Sequence, residues 1–246
     1  MKIALFSDIH ANLPALEAML KDLDIRSVDA VYCLGDLVGY NVWPNEVIAE
    51  IRKRNIATLA GNHDLKIKKL ITNGQSLSEP GKNYAYHLID ADGRKYLASL
   101  PAHIRLEFKL NDDALNIVLA HGSTRSVDEY VLEDTDESYV LEMMSEVNAD
   151  ILCVGHSHKP YHRILKTNDN NNYRHVINLG SVGKPKDGNP DGCYVILTLS
   201  EISSASDPNS IQVEFIRVAY DVEKAAQAVE QSLLPDEFAD RLRKAY

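Results

Sequence analysis

The chain has 246 residues, of which 45% are hydrophobic and 25% are charged, and its formal net charge at pH 7 is -10. A chain of this length and composition can bury a substantial core, and no stretch of it is apolar for long enough to span a bilayer. The negative charge weighs against duplex nucleic acid as a partner, because such binding needs Lys and Arg to displace counterions from the backbone. A small phosphorylated ligand is compatible with this charge, since a bound metal would make its pocket locally positive.

The first third of the sequence alternates short apolar runs with stretches of helical periodicity, which is typical of βαβ units. We predict strands at 2–7, 30–35 and 56–60, and helices after Pro14 and over 44–54. Because polar residues follow the first apolar run at once, this run is interpreted as a core strand and not as a secretory signal. With no export signal, the expected compartment is the cytoplasm.

The stretch from Leu65 to Leu100 differs from what precedes it. It is polar and helical in places, the turn-like sequence SEPGKN interrupts it, and Tyr84 and Tyr86 follow that turn. We predict a helical insertion at about residues 65–100 that covers one edge of the active site. Substrate specificity is expected to depend on this segment, because variable loops over a fixed scaffold usually set it.

Strand patterns dominate the sequence from residue 103 to residue 220. Parallel strands early and antiparallel hairpins late favour two packed mixed sheets with helices outside. There is no internal repeat and no low-complexity segment, so we predict one domain over residues 1–246. The later strands are predicted at 103–110, 115–120, 151–155, 161–167, 174–180, 192–199 and 211–220, with turns at 111–113, 167–172 and 203–210 and helices at 138–147, 222–234 and 236–245.

The three cysteines are Cys33, Cys153 and Cys193. Their number is odd and their spacing is not that of a zinc site. Cys33 and Cys153 lie within apolar runs, where buried free thiols are common. We predict that all three are core residues.

Five polar segments each follow an apolar run, and in chain order they read SDIH, GD, GNHD, HG and GHSH. Each should lie at the carboxyl end of a strand, which is the edge where ligands bind in open α/β sheets. Carboxylate, imidazole and amide oxygen together suit a divalent metal such as Mn, Fe or Zn. A single His after a strand is more often structural than a ligand, so the inference depends on all five segments together. The candidate ligands are Asp8, His10, Asp36, Asn62, His121, His156 and His158.

These segments resemble the five motifs of the calcineurin-like metallophosphoesterases, and SDIHANLPALEAML and NLGSVGKP are similar to the compact bacterial branch of that superfamily. The resemblance covers nearly the whole chain and implies a four-layer αββα sandwich of two mixed β-sheets flanked by helices. It also implies a dinuclear metal centre. Asp8, His10 and His158 resemble the ligands of the first metal, Asn62, His121 and His156 those of the second, and Asp36 the bridging ligand. His63 then resembles the catalytic histidine, with Asp64 as its orienting partner.

The implied activity is hydrolysis of a phosphate diester or monoester, with a metal-activated water as the nucleophile. The expected partner is a small phosphorylated substrate, while the sequence leaves the oligomeric state open. Ser123, Arg125 and Lys184 lie in loops beside the motifs. Each is either a contact to the substrate phosphate or an ordinary surface residue.

Other functions within this fold are tested by particular residues. Protein phosphatases and diadenosine polyphosphate hydrolases of the superfamily carry GDxVDRG, whereas this chain has GDLVGYN, with Gly39 and Tyr40 in place of the Asp and the phosphate-binding Arg. A repair nuclease would bring capping domains and basic surface, and a cyclic-nucleotide phosphodiesterase stays possible. A non-catalytic scaffold is the remaining alternative, against which the presence of His63 and every ligand position argues.

Overall fold

The computed structural model describes residues 1–74, 76–110, 113–167 and 172–246. Strands and helices alternate through the first half, and strands dominate the second. The strands are β1 (Lys2–Phe6), β2 (Ala30–Cys33), β3 (Ala57–Thr58), β4 (His103–Leu110), β5 (Asp113–Ala120), β6 (Ile151–Val154), β7 (Tyr161–Lys166), β8 (Tyr173–Asn178), β9 (Gly192–Thr198) and β10 (Gln212–Val218). The helices are α1 (Leu13–Leu23), α2 (Pro44–Lys53), α3 (Asn62–Thr72), α4 (Tyr84–His87), α5 (Ala91–Ser99), α6 (Glu137–Glu146), α7 (Val222–Glu230) and α8 (Glu237–Lys244).

The strands form two five-stranded mixed sheets. The first has the order β10-β9-β1-β2-β3, in which β1, β2 and β3 are parallel and β9 runs antiparallel to both of its neighbours. The second has the order β4-β5-β6-β8-β7, in which β5, β6 and β8 are parallel and the two outer strands antiparallel. The predicted α/β fold of two mixed sheets is therefore confirmed.

The side chains of β1 show how the layers form. Ile3 and Leu5 point into the core between the two sheets, while Ala4 and Phe6 point to the opposite face and pack with α1 and α2. This alternation is what a strand buried on both faces requires. A third cluster, around Met143 of α6, covers the outer face of the second sheet. Two helical layers thus enclose two sheets, which confirms the four-layer αββα arrangement.

Several local expectations have clear outcomes. The predicted strand at 56–60 has only two residues, because beyond it the amide of Ala60 bonds the carbonyl of Pro101 and not a sheet neighbour. Helices α3, α4 and α5 occupy most of the stretch expected to be helical. The predicted turn at 111–113 and the one at 167–172 fall mostly outside the described residues. All three cysteines are buried free thiols, as predicted.

In the described ranges, no helix combines the length and the apolar character that crossing a membrane would require.

A pair of histidines lies between the last two strands of the second sheet. Nε2 of His162 on β7 is 2.9 Å from Nδ1 of His175 on β8, and the two rings stack. His175 is fully buried, and its Nε2 has no hydrogen-bond partner among the described residues. Burial lowers the pKa of His175 to about 4, with a further contribution from His162. Protonation of His175 is therefore disfavoured in the folded protein.

Acidification should consequently destabilise the protein through His175. Its folded-state pKa of about 4 lies below the ordinary value near 6.5, so between these values the unfolded chain binds more protons and stability falls as pH falls. Between pH 7 and pH 5, the wild type should lose about 2 kcal/mol more unfolding free energy than His175→Gln does. Urea unfolding of metal-stripped protein at both pH values measures the difference, and equal losses would contradict it.

Candidate metal centre

The predicted ligand residues lie in the loops at the carboxyl ends of five strands. Asp8 and His10 follow β1, Asp36 follows β2, and Asn62 begins α3 directly after β3. His121 follows β5, and the pair His156 and His158 follows β6. The strands belong to both sheets, so this edge joins the two halves of the fold. The positions that are far apart in sequence meet here as the topology requires.

Three of the candidate ligands form a compact group. The Oδ1 atom of Asp8 is 3.1 Å from Nε2 of His158 and 3.6 Å from Nε2 of His10. The two Nε2 atoms of His10 and His158 are themselves 3.1 Å apart. All three side chains are buried. These are the residues that the resemblance assigns to the first metal.

Asp36 connects this group to a second one. Its Oδ2 atom is 3.7 Å from Nε2 of His10 and 3.4 Å from Nε2 of His121. His121 Nε2 is in turn 3.1 Å from the side-chain oxygen of Asn62. One carboxylate therefore stands between the two groups, which is the position that a bridging ligand needs.

Hydrogen bonds to main-chain carbonyls fix the tautomers of three of these histidines. A carbonyl only accepts, so each Nδ1 must carry a proton, and it is Nε2 of the neutral ring that presents a lone pair to the cluster. Such bonds also hold the ring of a metal ligand in its orientation. His10 Nδ1 donates to the carbonyl of Val38 at 3.1 Å, His121 Nδ1 to that of Leu34 at 2.7 Å and His158 Nδ1 to that of Lys184 at 2.5 Å.

His156 has the opposite tautomer. Its Nε2 is 3.3 Å from the carbonyl of Asp128, so Nε2 carries the proton and Nδ1 the lone pair. Its ring lies 5.1 Å from that of His121 and stacks on Tyr130 at 4.1 Å. Its main-chain amide donates to Oδ2 of Asp8 at 3.0 Å. His156 thus borders the second group and also holds the Asp8 carboxylate in place.

The backbone at this edge is held in the left-handed region, which costs a residue with a Cβ about 1–2 kcal/mol. Strain of this kind collects at functional sites, where the surrounding structure enforces it. Gly61 lets the backbone approach Asp36 closely, because a Cβ there would lie 2.1 Å from Oδ1 of Asp36. The strained ligand positions are Asp8, His10, Asp36, His156 and His158, with φ of 58°, 51°, 54°, 65° and 61° in that order.

The chemistry of the cluster calls for a cation. Lone pairs of several imidazoles and carboxylate oxygens face one another, and Oδ1 of buried Asp8 has no hydrogen-bond partner in the described parts of the chain. Burial alone would lower the pKa of His121, but the charges of Asp36 and Asp8 raise it to about 10, so without a metal this ring holds a second proton in the place of a cation. Acceptors that meet without donors are what a divalent ion satisfies. The residues present therefore fit a metal.

Asp64 has a different role from the one expected. Its two oxygens accept from the main-chain amides of Asp36, Leu37 and Gly61 at 2.8, 2.9 and 2.9 Å, and its side chain is buried. The expectation that Asp64 orients His63 is thus corrected: both carboxylate oxygens are directed to the backbone. Asp64 ties the loop after β2 to the start of α3, which positions Asp36.

The orienting partner of His63 is Tyr86. The hydroxyl of Tyr86 lies 2.5 Å from Nδ1 of His63, and the rings stack 6.1 Å apart. One ring nitrogen of His63 also lies within 4.8 Å of ligand atoms of His10 and Asp36, so the ring borders the cluster. In the sequence, Tyr86 stands out only as part of the insertion. No spacing rule relates it to His63, because the contact depends on how α4 packs.

Arg125 and Ser123, two of the residues considered as substrate contacts, have partners within the protein. Arg125 is engaged elsewhere, with its Nε and an Nη donating to the Glu146 carboxylate at 2.9 and 2.6 Å. The hydroxyl of Ser123 is buried, accepts from the amides of Arg125 and Ser126 at 3.0 Å and donates to Glu129. Ser123 therefore stabilises the loop after β5, and Arg125 ties that loop to α6.

Lys184 remains as a cation without a counter-charge. The residue is 1% exposed, and its Nζ has no hydrogen-bond partner within the described ranges. The ammonium group lies 4.7 Å from the centre of the Tyr40 ring. Burial, with a smaller contribution from neighbouring Lys186, lowers the pKa of Lys184 to about 7, so the amine is partly neutral near pH 7. A bound phosphate would favour its charged form, so this is a position where a substrate anion would be stabilised.

Comparison with known proteins gives consistent matches. A model of the calcineurin-like phosphoesterase superfamily domain matches residues 1–201. An uncharacterized protein of Methanocaldococcus jannaschii is 30% identical over 256 residues, which cover 98% of this chain and 96% of the relative. A metallophosphoesterase from Sphaerobacter thermophilus has 28% identity and a TM-score of 0.76, covering 100% of this chain and 99% of its own. Hypothetical protein PH1004 of Pyrococcus horikoshii shares the fold, with 23% identity, a TM-score of 0.78 and coverage of 100% and 98%.

Metal binding to the candidate ligands should stabilise the metal-stripped protein. A ligand that binds only the folded state adds about 2.7 kcal/mol of stability at a concentration of 100 times its Kd. Adding Mn²⁺ should therefore raise the melting temperature of the wild type by several degrees, and Asp36→Asn should lose most of this rise. Asp134→Asn, at an exposed position, is the control and should keep it. A full rise in the Asp36 variant would disprove its place among the ligands.

Proposed function

The chain belongs to the calcineurin-like phosphoesterase superfamily, and we propose that it is a phosphoric ester hydrolase that holds two divalent metal ions. The observation that carries this proposal is the buried convergence of imidazole lone pairs and carboxylates around Asp36. The donor set suits Mn, Fe or Zn. One ion would be held by Asp8, His10 and His158, the other by Asn62, His121 and His156, and both by Asp36.

Bound divalent cations would polarise the phosphate oxygens and lower the pKa of water, which is the chemistry that ester hydrolysis needs. In the overall reaction, the oxygen of water bonds to phosphorus, the bond from phosphorus to the leaving oxygen breaks, and that oxygen gains the proton that the water gives up. The substrate would be a small phosphorylated molecule, as a diester or a monoester.

His63 is placed to assist the leaving oxygen. Burial raises the pKa of the Tyr86 hydroxyl, so Tyr86 keeps its proton and donates it to Nδ1 of His63. Burial also lowers the pKa of His63 to about 3, despite the opposing charge of Asp36, which keeps the ring neutral. The proton of the neutral ring is then on Nε2. From there His63 donates a hydrogen bond to the charge that develops on the leaving oxygen.

Lys184 takes the role for which Arg125 was considered. Tyr40 stands where other branches of the superfamily have a phosphate-binding Arg, and the ammonium group of Lys184 lies over the Tyr40 ring. A phosphate held at the cluster would give this ammonium group the anionic partner it lacks.

The first test is hydrolysis of bis-p-nitrophenyl phosphate and p-nitrophenyl phosphate by metal-stripped protein with Mn²⁺ restored. We expect turnover that requires metal. The rate should fall by at least about a hundredfold in Asp36→Ala and His63→Ala. It should fall by about tenfold in Tyr86→Phe, because His63 then loses the hydrogen bond that orients it. Protein that binds metal but turns over neither ester would favour the scaffold alternative, and a search for binding partners would then be the next step.

A second experiment distinguishes the role of Lys184 from that of Arg125. Lys184→Met should raise KM for p-nitrophenyl phosphate by about tenfold, because one charge-assisted contact to the phosphate is lost. Arg125→Met should change KM by less than about twofold, since Arg125 is paired with Glu146. Steady-state kinetics of both variants decide the matter. If Arg125→Met has the larger effect, the assignment of Lys184 is wrong.

A further inference from the structure

A cavity of 280 Å³ opens beside His63, and none of the candidate metal ligands is among its lining residues. Its walls come from α3, from the segment that leads into α4, and from α8 near the end of the chain. Small-molecule sites usually have volumes of about 300–1,000 Å³, so this cavity suits a compact ligand and not a polymer. The residues that line it include Tyr40, Lys66, Lys82, Tyr86, Phe238 and Arg241.

Two of the cations in this cavity have no counter-charge. Arg241 pairs with Glu237 on the same helix, so their charges offset one another. Lys66 and Lys82 form no ion pair with any carboxylate of the described residues. Burial lowers the pKa of Lys66, and the charge of nearby Lys82 lowers it further. In a chain of net charge -10, a cavity with two unpaired ammonium groups is a local site for an anion.

Aromatic rings form the rest of the wall. The rings of Tyr40 and Phe238 meet edge to face at 5.0 Å, and Tyr40 also lies 4.8 Å from the His63 ring. Tyr86 is nearly fully buried, and the ammonium group of Lys66 lies 5.2 Å from its ring centre. Such rings stack on flat ligand rings, with nucleobases as an example in which each contact contributes about 1–3 kcal/mol.

The position of the cavity identifies which part of a substrate enters it. The proposed function places the phosphorus at the metal ligands and the leaving oxygen at His63, so the group beyond that oxygen extends into the cavity. Resting on that function, we propose that the leaving group is a nucleotide, whose base packs on the rings and whose own phosphate is bound by Lys66 and Lys82. A leaving group without a ring or without charge would leave one half of the cavity unused.

Binding of the leaving group tests this without turnover. Calorimetry on metal-stripped protein should show adenosine 5′-monophosphate binding at least about tenfold more tightly than adenosine. The double variant Lys66→Ala/Lys82→Ala should lose this preference, while Lys66→Arg/Lys82→Arg should retain it. The control is Lys68→Ala/Lys69→Ala, which removes equal charge from exposed positions of α3 and should keep the preference. Equal binding of the two ligands by the wild type would overturn the proposal.

Kinetics of the metal-loaded protein give the second measurement. The ratio of kcat/KM for adenosine 3′,5′-bisphosphate to that for adenosine 3′-monophosphate should be about ten or more, and the corresponding diesters pApA and ApA extend the comparison. The ratio should approach one in Lys66→Ala/Lys82→Ala. Turnover of p-nitrophenyl esters with a ratio near one in the wild type would overturn the proposal and leave the hydrolase function intact. Equal use of glycerol 1,3-bisphosphate would refute recognition of the ring.

Discussion

The metal centre is organised around a buried set of acceptors that face one another. His10, His158 and His121 turn their Nε2 atoms toward Asp8 and Asp36, because their other ring nitrogens are bonded to main-chain carbonyls. A buried acceptor without a partner costs about 1–3 kcal/mol, and left-handed backbone adds to the cost at several of these positions. The fold offsets this cost elsewhere, in the apolar layers that hold both sheets. A bound cation would turn the same arrangement from a destabilising feature into a stabilising one.

The sequence was sufficient for the features that depend on strand ends. Asp8, Asp36, His121 and their neighbours follow apolar runs, and parallel strands bring such positions to one edge whatever the details of packing. Tyr86 and Asp64 show where this reasoning stops. The partner of Tyr86 depends on the packing of α4 against the C-terminal helices, where Ala85 is buried with α7 and α8. The carboxylate of Asp64 bonds amides of another loop, which no local pattern reveals.

The departure from GDxVDRG has a structural counterpart. A Cβ at Gly39 would lie 2.6 Å from Nδ1 of His63, so any side chain at this position would compete with the hydroxyl of Tyr86. The φ of Gly39 is +94°, which also favours glycine. In this chain the group that orients His63 therefore comes from α4 and not from the loop after β2. Because α4 also borders the cavity beside His63, the orientation of the histidine and the shape of that cavity depend on the same short helix.

The pairing of β1 with β9 affects how the protein is made. Ile3 lies opposite Leu197, and Ser181 and Gly183, just before β9, bond the carbonyl of Asp8 at 2.7 and 3.0 Å. On a ribosome that adds 5–20 residues per second, β9 emerges about 10–40 s after β1. During that interval one edge of a hydrophobic strand has no neighbour, which is the state most prone to wrong pairing. The first ligand loop likewise gains its two bonds from Ser181 and Gly183 only after most of the chain has been made.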